Sequence, residues 1–263
     1  MSTILSRSLV CAAVSVGMFG AASSFAATLT LREGLDGYAG TRDDAQMKTP
    51  SKANAYDNLN DNLYAYSTLG GLGLGTVVGF DISGLPGGAT INSATLVMTF
   101  ANGSQWGNGS AQTWVVKDPT VQWNEGQVSF YYAQTSPGPG VKWNASDAPF
   151  SGPSGTGDGI TMAGQPVIDS ASTAGYGTNL PGKNLSFDVT SLVDGWYGGA
   201  ENRGFAVIPS SGTNSANLNW AGKANATDAW RPTLVIEYSP VPEPASLGLL
   251  ATGGLLMLRR RKA

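Results

Sequence analysis

Tryptophan is the residue type in this chain that is best suited to molecular recognition. The chain has 263 residues and contains seven tryptophans. An indole ring offers a flat apolar face that can stack on the C–H face of a sugar. Three tryptophans lie in stretches typical of loops: Trp106, Trp143 and Trp230. The alternative role is to fill the space between packed sheets, which we expect of three others: Trp114, Trp196 and Trp220.

Cations beside two of these tryptophans would suit an anionic sugar polymer. Lys142 precedes Trp143, and Arg231 follows Trp230. The guanidinium of arginine binds a carboxylate with a planar fork. These four residues and Trp106 are therefore the candidate carbohydrate-binding residues. For Arg231, which precedes the last predicted strand, an internal carboxylate is an equally open partner.

The overall charge opposes an acidic ligand. Between residues 27 and 241 there are ten Lys and Arg against seventeen Asp and Glu, a net charge of −7. Such a surface repels nucleic acid, so no nucleic-acid partner is expected. An extracellular polysaccharide remains the expected partner, and a Ca²⁺ ion could bridge an acidic glycan to the protein.

A calcium ion needs about six to eight oxygen ligands. One acidic turn supplies candidates, although without the spacing of an EF-hand: Asp36, Asp43 and Asp44. The alternative is that these are solvated turn residues. No cofactor is certain from the sequence, and Ca²⁺ is the one metal left open.

The sequence contains few of the residue types that enzymes use for catalysis. There is no histidine, and the single cysteine is Cys11 near the N-terminus. Imidazole bases, thiolate nucleophiles and His/Cys zinc sites are therefore excluded after residue 26. Glycosidases use two facing carboxylates, which sequence alone does not pair. We predict that the protein is not an enzyme; the less favoured alternative is a polysaccharide hydrolase or lyase that uses Glu125, Tyr131 or Tyr132.

Short β-strands dominate the part of the chain that must position these residues. Ala94, Leu96, Met98 and Phe100 alternate with their neighbours, as in a strand with one buried face. About ten short strand-like stretches occur between turn signals, and no stretch keeps a helical period. Residues 27–240 are therefore predicted to form an all-β fold, a single antiparallel β-sandwich or jelly roll.

The first 26 residues are typical of a secretory signal. They contain Arg7, an apolar run over residues 9–22, and small residues at Ser24 and Ala26. A cationic start, an apolar helix and a small-residue cleavage site follow one another in signal peptides in this order. We predict a signal helix that is removed by cleavage after Ala26.

Residues 241–263 contain a proline-rich break, an apolar segment and a basic end. The break holds Pro242, Glu243 and Pro244, and the thirteen uncharged residues that follow Ala245 end at Leu258. A helix of that length spans about 20 Å, against about 30 Å of bilayer hydrocarbon. Three arginines act as a stop-transfer signal on the cytoplasmic side: Arg259, Arg260 and Arg261.

This order of segments resembles the PEP-CTERM sorting signal of exported bacterial proteins. The resemblance implies that a short hydrophobic helix inserts transiently into the membrane. It also implies that an exosortase-type membrane transpeptidase cleaves the chain near Pro242–Pro244. The protein would then reach the cell envelope, the cell surface or the extracellular matrix. An ordinary short transmembrane tail is the alternative.

The stretch between the two signals resembles the DNRLRE-type β-sandwich domain. The matching segments are Gly34–Thr41 with Asp43, Phe80–Leu96, Trp123–Gly126 with Trp143, and Phe187–Trp196 with Asn202–Phe205 and Arg231–Pro232. The sequence departs from the family after Thr41, where Asp43 to Gln46 replace the usual Asp-Thr-Tyr-Ile. The resemblance implies a β-sandwich, and some members are described as carbohydrate-binding modules for acidic polysaccharides such as alginate.

These patterns together predict an exported, exosortase-processed protein with three parts: residues 1–26, 27–240 and 241–263. The sandwich is expected to bind polysaccharide without catalysis. A structural matrix protein without a specific glycan ligand is the alternative.

Overall fold

The computed structural model describes the β-rich middle of the chain. The described residues are 26–46, 56–57, 62–67, 75–102, 104, 111–129, 132–134, 140–143, 165–176, 179–210 and 216–241. The chain divides into two units, Ala26–Pro240 and a second made of Met1–Phe25 and Val241–Ala263. The predicted signal helix and the predicted hydrophobic helix of the tail lie outside the described residues. No helix in the described ranges is both long and apolar enough to cross a membrane.

Fourteen strands and one α-helix form the regular structure of the described residues. The strands are β1 (Ala27–Arg32), β2 (Thr41–Gln46), β3 (Tyr56–Asp57), β4 (Asn62–Ser67), β5 (Thr76–Phe80), β6 (Thr90–Thr99), β7 (Thr113–Lys117), β8 (Tyr132–Gln134), β9 (Val141–Lys142), β10 (Asp169–Ser172), β11 (Asn184–Asp188), β12 (Phe205–Pro209), β13 (Ala216–Ala221) and β14 (Thr233–Ser239). The helix is α1 (Thr190–Tyr197).

Two larger sheets and two strand pairs contain all of these strands. The four-stranded sheet has the order β1-β14-β6-β11, and the six-stranded sheet has the order β10-β7-β12-β5-β2-β3. β13 pairs with β4, and β8 pairs with β9. Every pairing is antiparallel. The predicted all-β antiparallel sandwich is therefore confirmed.

The main core lies between the two larger sheets. In β6 the side chains of Ala94, Leu96 and Met98 are buried, because successive residues of a strand face opposite sides. Leu96 stands opposite Leu234 on one side and Phe187 on the other. The facing side chains of the six-stranded sheet include Val78, Phe80, Val116, Phe205 and Val207.

The outer face of the six-stranded sheet is covered as well. A second hydrophobic cluster contains Val77, Val115, Trp123, Val128, Ala133, Trp143, Ala206 and Ile208. β5 and β12 are buried at every residue, because both faces of their sheet are covered. The covering residues follow β7 in the chain, and the last of them, Trp143, comes directly after β9.

The three tryptophans expected inside the core are buried. Trp114 and Trp220 are fully buried and Trp196 is 6% exposed, so this prediction is confirmed. Trp220 stacks on Phe100 at 4.2 Å between ring centroids and meets the edge of Trp114 at 5.0 Å. Trp196 of α1 packs on Phe205 at 4.8 Å.

Candidate functional site

The predicted sugar-stacking tryptophans occupy different environments. Trp143 is only 2% exposed, and its indole N–H donates to the carbonyl of Ser129 at 2.9 Å. It belongs to the second hydrophobic cluster and offers no open face to a sugar, because the ring helps to cover the outer side of the six-stranded sheet. Trp230 is half-buried in a 3-10 turn, Asp228–Trp230. Trp106 lies outside the described residues.

The structure gives the surroundings of the two predicted cations. Arg231 donates to the carbonyls of Asn225 at 2.9 Å and Glu33 at 3.0 Å. It also pairs with Asp228 at 2.6 Å. Arg231 therefore has the alternative role of an internal partner: it binds two backbone carbonyls and the carboxylate of Asp228. Lys142 is half-buried in β9.

The three candidate calcium ligands do not converge. Asp36 is exposed in the 3-10 turn Leu35–Gly37, with a left-handed φ of 51°. Asp43 and Asp44 are buried neighbours in β2, whose side chains face opposite sides of the strand. The described residues hold no group of three or more acidic side chains that could bind a metal ion. The processing residues Pro242, Glu243 and Pro244 and the stop-transfer arginines lie outside the described ranges, and Ala26 is exposed.

Asp43 is instead part of a carboxylate–lysine cluster with Glu125 and Lys223. The backbone N–H of Lys223 donates to the carboxyl group of Asp43. The ammonium of Lys223 lies 2.6 Å from Oε2 of Glu125. The other oxygen of Glu125 accepts the backbone N–H of Asp43 at 3.1 Å. The cluster therefore joins β2, the loop after β7 and the turn after β13.

Burial changes the protonation of Asp43. It raises the pKa of this carboxyl from 3.8 to about 7; the backbone hydrogen bond from Lys223 lowers it, and the nearby Glu125 raises it further. The desolvation of a charged carboxylate is larger than the help it receives from the lysine. Asp43 is therefore partly protonated at neutral pH.

Beside this cluster Arg42 lies on the face of Trp123. The guanidinium carbon is 4.5 Å from the ring centroid, a cation–π contact. Arg42 also donates to the carbonyls of Trp123 at 3.3 Å and Asn202 at 3.1 Å. The indole N–H of Trp123 donates to the carbonyl of Arg203 at 2.7 Å. These bonds fix the loop after β7 on the six-stranded sheet.

Gly79 makes room for this stack. A Cβ at this position would lie 2.6 Å from Nε and 3.0 Å from Cγ of Arg42. We expect Gly79→Ala to move the guanidinium off Trp123 and to lower the free energy of unfolding by about 1–3 kcal/mol. Urea denaturation measures the change. Gly84→Ala is the control, because its Cβ would meet nothing within 4 Å; equal losses in the two variants would contradict the expectation.

The cluster joins three segments of the fold through bonds within the protein. Both oxygens of Glu125 are occupied, one by Lys223 and one by the backbone of Asp43. Tyr132 is half-buried in β8, and Tyr131 lies outside the described residues.

A surface groove lies beside β1, at a place that the sequence patterns did not indicate. Its volume is about 530 Å³, and its lining includes Tyr38 and Asp81. These two residues are 43 positions apart in the sequence. One feature of the sequence could have pointed to this groove. Tyr38 and Asp81 fall in the first two segments that resemble the DNRLRE-type domain, Gly34–Thr41 and Phe80–Leu96. The structure brings those two segments together.

A second groove of about 430 Å³ lies between β10 and the start of α1. Asp169, Asp188 and Asp194 line it. Asp169 accepts the backbone N–H of Asp188 at 2.6 Å, and Asp188 accepts bonds from the N–H and hydroxyl of Thr190. These bonds lower the pKa of Asp188. Two of the three carboxylates thus serve the connection between β11 and α1.

The comparison with known families found a match in the C-terminal tail. Residues 240–262 match the PEP-CTERM protein-sorting motif. The motif implies an exported, cell-surface-associated protein that is processed by an exosortase, so the predicted PEP-CTERM sorting signal is confirmed. No curated protein matches the chain. The match does not extend into the sandwich, whose resemblance to the DNRLRE-type domain stays a prediction.

Proposed function

We propose that residues 27–240 form a non-catalytic module that binds polysaccharide at the cell surface or in the extracellular matrix. The observation that carries the proposal is the sorting motif at residues 240–262, because an exported, cell-surface-associated module would meet extracellular polymer. The occupied oxygens of Glu125 support a role without catalysis, since this was the one acid that the sequence favoured.

A structural matrix protein without a glycan ligand is the second candidate. Two observations favour it: Trp143 is buried, and Arg231 is bonded to the protein itself. In this case the sandwich would serve as a stable surface unit. A hydrolase or lyase remains the less favoured third candidate.

A glycan array and a fluorescence titration distinguish these candidates. The mature exported protein should bind at least one polysaccharide, and the half-buried Trp230 can report the titration. Retention at the cell surface without affinity for any polysaccharide, in a protein shown to be folded, would favour the structural role. Release of shortened products from a polysaccharide would favour the enzyme.

Processing makes a separate prediction about both ends of the chain. Mass spectrometry of the mature protein from its native cell should find Ala27 at the N-terminus and no Arg259–Arg261. Replacing Pro242, Glu243 and Pro244 together with alanine should leave the tail in place, because the sorting motif falls at residues 240–262. A wild-type protein that keeps its three arginines would contradict processing, whatever its affinity for glycans.

A further inference from the structure

The groove beside β1 combines an aromatic ring, carboxylates and a strand edge. Its walls include Thr28 to Leu31 of β1, Asp36 and Tyr38 after that strand, and Asp81, Ser83 and Gly84 after β5. The volume of about 530 Å³ lies within the range of about 300–1,000 Å³ that is usual for ligand sites. The groove can therefore hold a few sugar rings.

Tyr38 is held in place before any ligand arrives. Its hydroxyl accepts the backbone N–H of Asp81 at 2.9 Å and donates to the carbonyl of the same residue at 3.3 Å. A Cβ on Gly40 would stand 2.9 Å from Cζ and Oη of Tyr38, so the backbone of Gly40 packs directly against the ring. A fixed ring loses little conformational entropy when a ligand binds to it.

The strand edge supplies neutral polar groups. β1 is the edge strand of its sheet: it pairs with β14, and with no other strand that the structure describes. An edge strand leaves alternate backbone N–H and C=O groups unpaired. Thr28 and Thr30 add hydroxyl groups on this strand. Donors and acceptors of this kind match the hydroxyl groups of a sugar.

The charged groups that line the groove, among the described residues, are all acidic. Among the described residues that line it, the charged side chains are those of Asp36 and Asp81, and both are exposed. One oxygen of Asp81 accepts the backbone N–H of Ser83 at 2.9 Å. Carboxylates accept strong hydrogen bonds from hydroxyl groups. They repel a ligand that carries carboxylates of its own, which provides selectivity.

We infer that this groove binds a neutral polysaccharide, whose hydroxyl groups bond to Asp36, Asp81 and the edge of β1 and whose ring faces contact Tyr38. The inference rests on the proposed function and names its ligand class and its site. It differs from the acidic ligand that the DNRLRE resemblance implies. It agrees with the net charge of −7 between residues 27 and 241.

Two glycines in one loop provide a matched test. Gly84 lines the groove and Gly87 does not. An added Cβ would meet nothing within 4 Å at either position, and neither has a left-handed φ. Gly84→Gln should place a side chain in the groove and weaken binding at least tenfold, whereas Gly87→Gln should leave affinity within twofold. Asp36→Asn should also weaken binding, because asparagine tolerates the left-handed φ but removes the charge.

Calorimetric titration of the mature exported protein with dextran, galactomannan, laminarin and alginate decides the question, after thermal melting has shown that each variant is folded. We expect a neutral polymer to bind and alginate to bind more weakly or not at all. Tighter binding of alginate, or equal affinity of the Gly84→Gln variant and the wild type, would overturn the groove assignment but leave the proposed function intact. Binding of none of these polymers would overturn the groove assignment, whereas only a glycan array without any bound polysaccharide would overturn the proposed function.

Discussion

Replacing Trp220 with alanine should lower the free energy of unfolding by about 3–5 kcal/mol, the range for removing a large aromatic side chain from a core. Trp220 is fully buried, stacks on Phe100 and touches Trp114. It also forms the bridge by which β13 meets the end of β6 at Phe100. The variant therefore loses the ring packing at the point where β13 meets the end of β6, while the backbone bridge remains available to alanine.

Denaturation by urea, followed by far-ultraviolet circular dichroism, measures this loss without relying on tryptophan emission. Trp230→Ala is the matched control, because the same atoms are removed from a half-buried ring in the 3-10 turn Asp228–Trp230. It should cost less than half as much. A similar loss in both variants would show that burial of Trp220 does not govern stability.

The two-sheet fold could be predicted because apolar and polar residues alternate along single strands, which is a local signal. The sequence around Leu96 places apolar residues two apart, and in the structure those residues form the buried face of β6. Trp114, Trp196 and Trp220 were also expected inside, as large apolar side chains that fill the space between packed sheets. Such signals depend only on neighbours in the sequence.

The second hydrophobic cluster could not be predicted in this way. Trp143 lies in a stretch rich in glycine and proline, a composition that favours an exposed loop. In the structure Trp123 and Trp143 are buried in one cluster with residues of β5 and β12. Nothing local to Trp143 indicates that both faces of the six-stranded sheet need cover. The prediction of an open platform there is wrong for that reason.

The candidate site depends on contacts that are even more distant. Asp43 looked like a turn carboxylate, but its partner Lys223 is 180 residues away. Tyr38 and Asp81 meet only when the start of β2 pairs with the end of β5. Residue type could suggest that these groups matter. Only the register of the strands fixes whether they bind a metal, stabilise each other or line a groove.

The buried carboxyl of Asp43 should make the protein less stable as the pH rises from about 4 to about 7. Its pKa is about 7 in the folded state, against 3.8 as the ordinary value. Between these values the folded protein keeps a proton that the unfolded chain has released, so raising the pH favours unfolding. At about 1.4 kcal/mol per pH unit, the full effect is about 4 kcal/mol.

Asp43→Asn should flatten this dependence, because the amide is neutral at every pH and its oxygen can still accept the N–H of Lys223. Urea denaturation at a series of pH values gives the difference between variant and wild type, in which the other carboxyl groups cancel. Asp188→Asn is the control with the opposite sign: hydrogen bonds from Thr190 lower the pKa of Asp188, so its contribution is lost as the pH falls. If the Asp43→Asn and wild-type curves stay parallel from pH 4 to 8, Asp43 does not hold its proton in the folded protein. The ion pair of Glu125 with Lys223 would then stabilise a fully charged cluster.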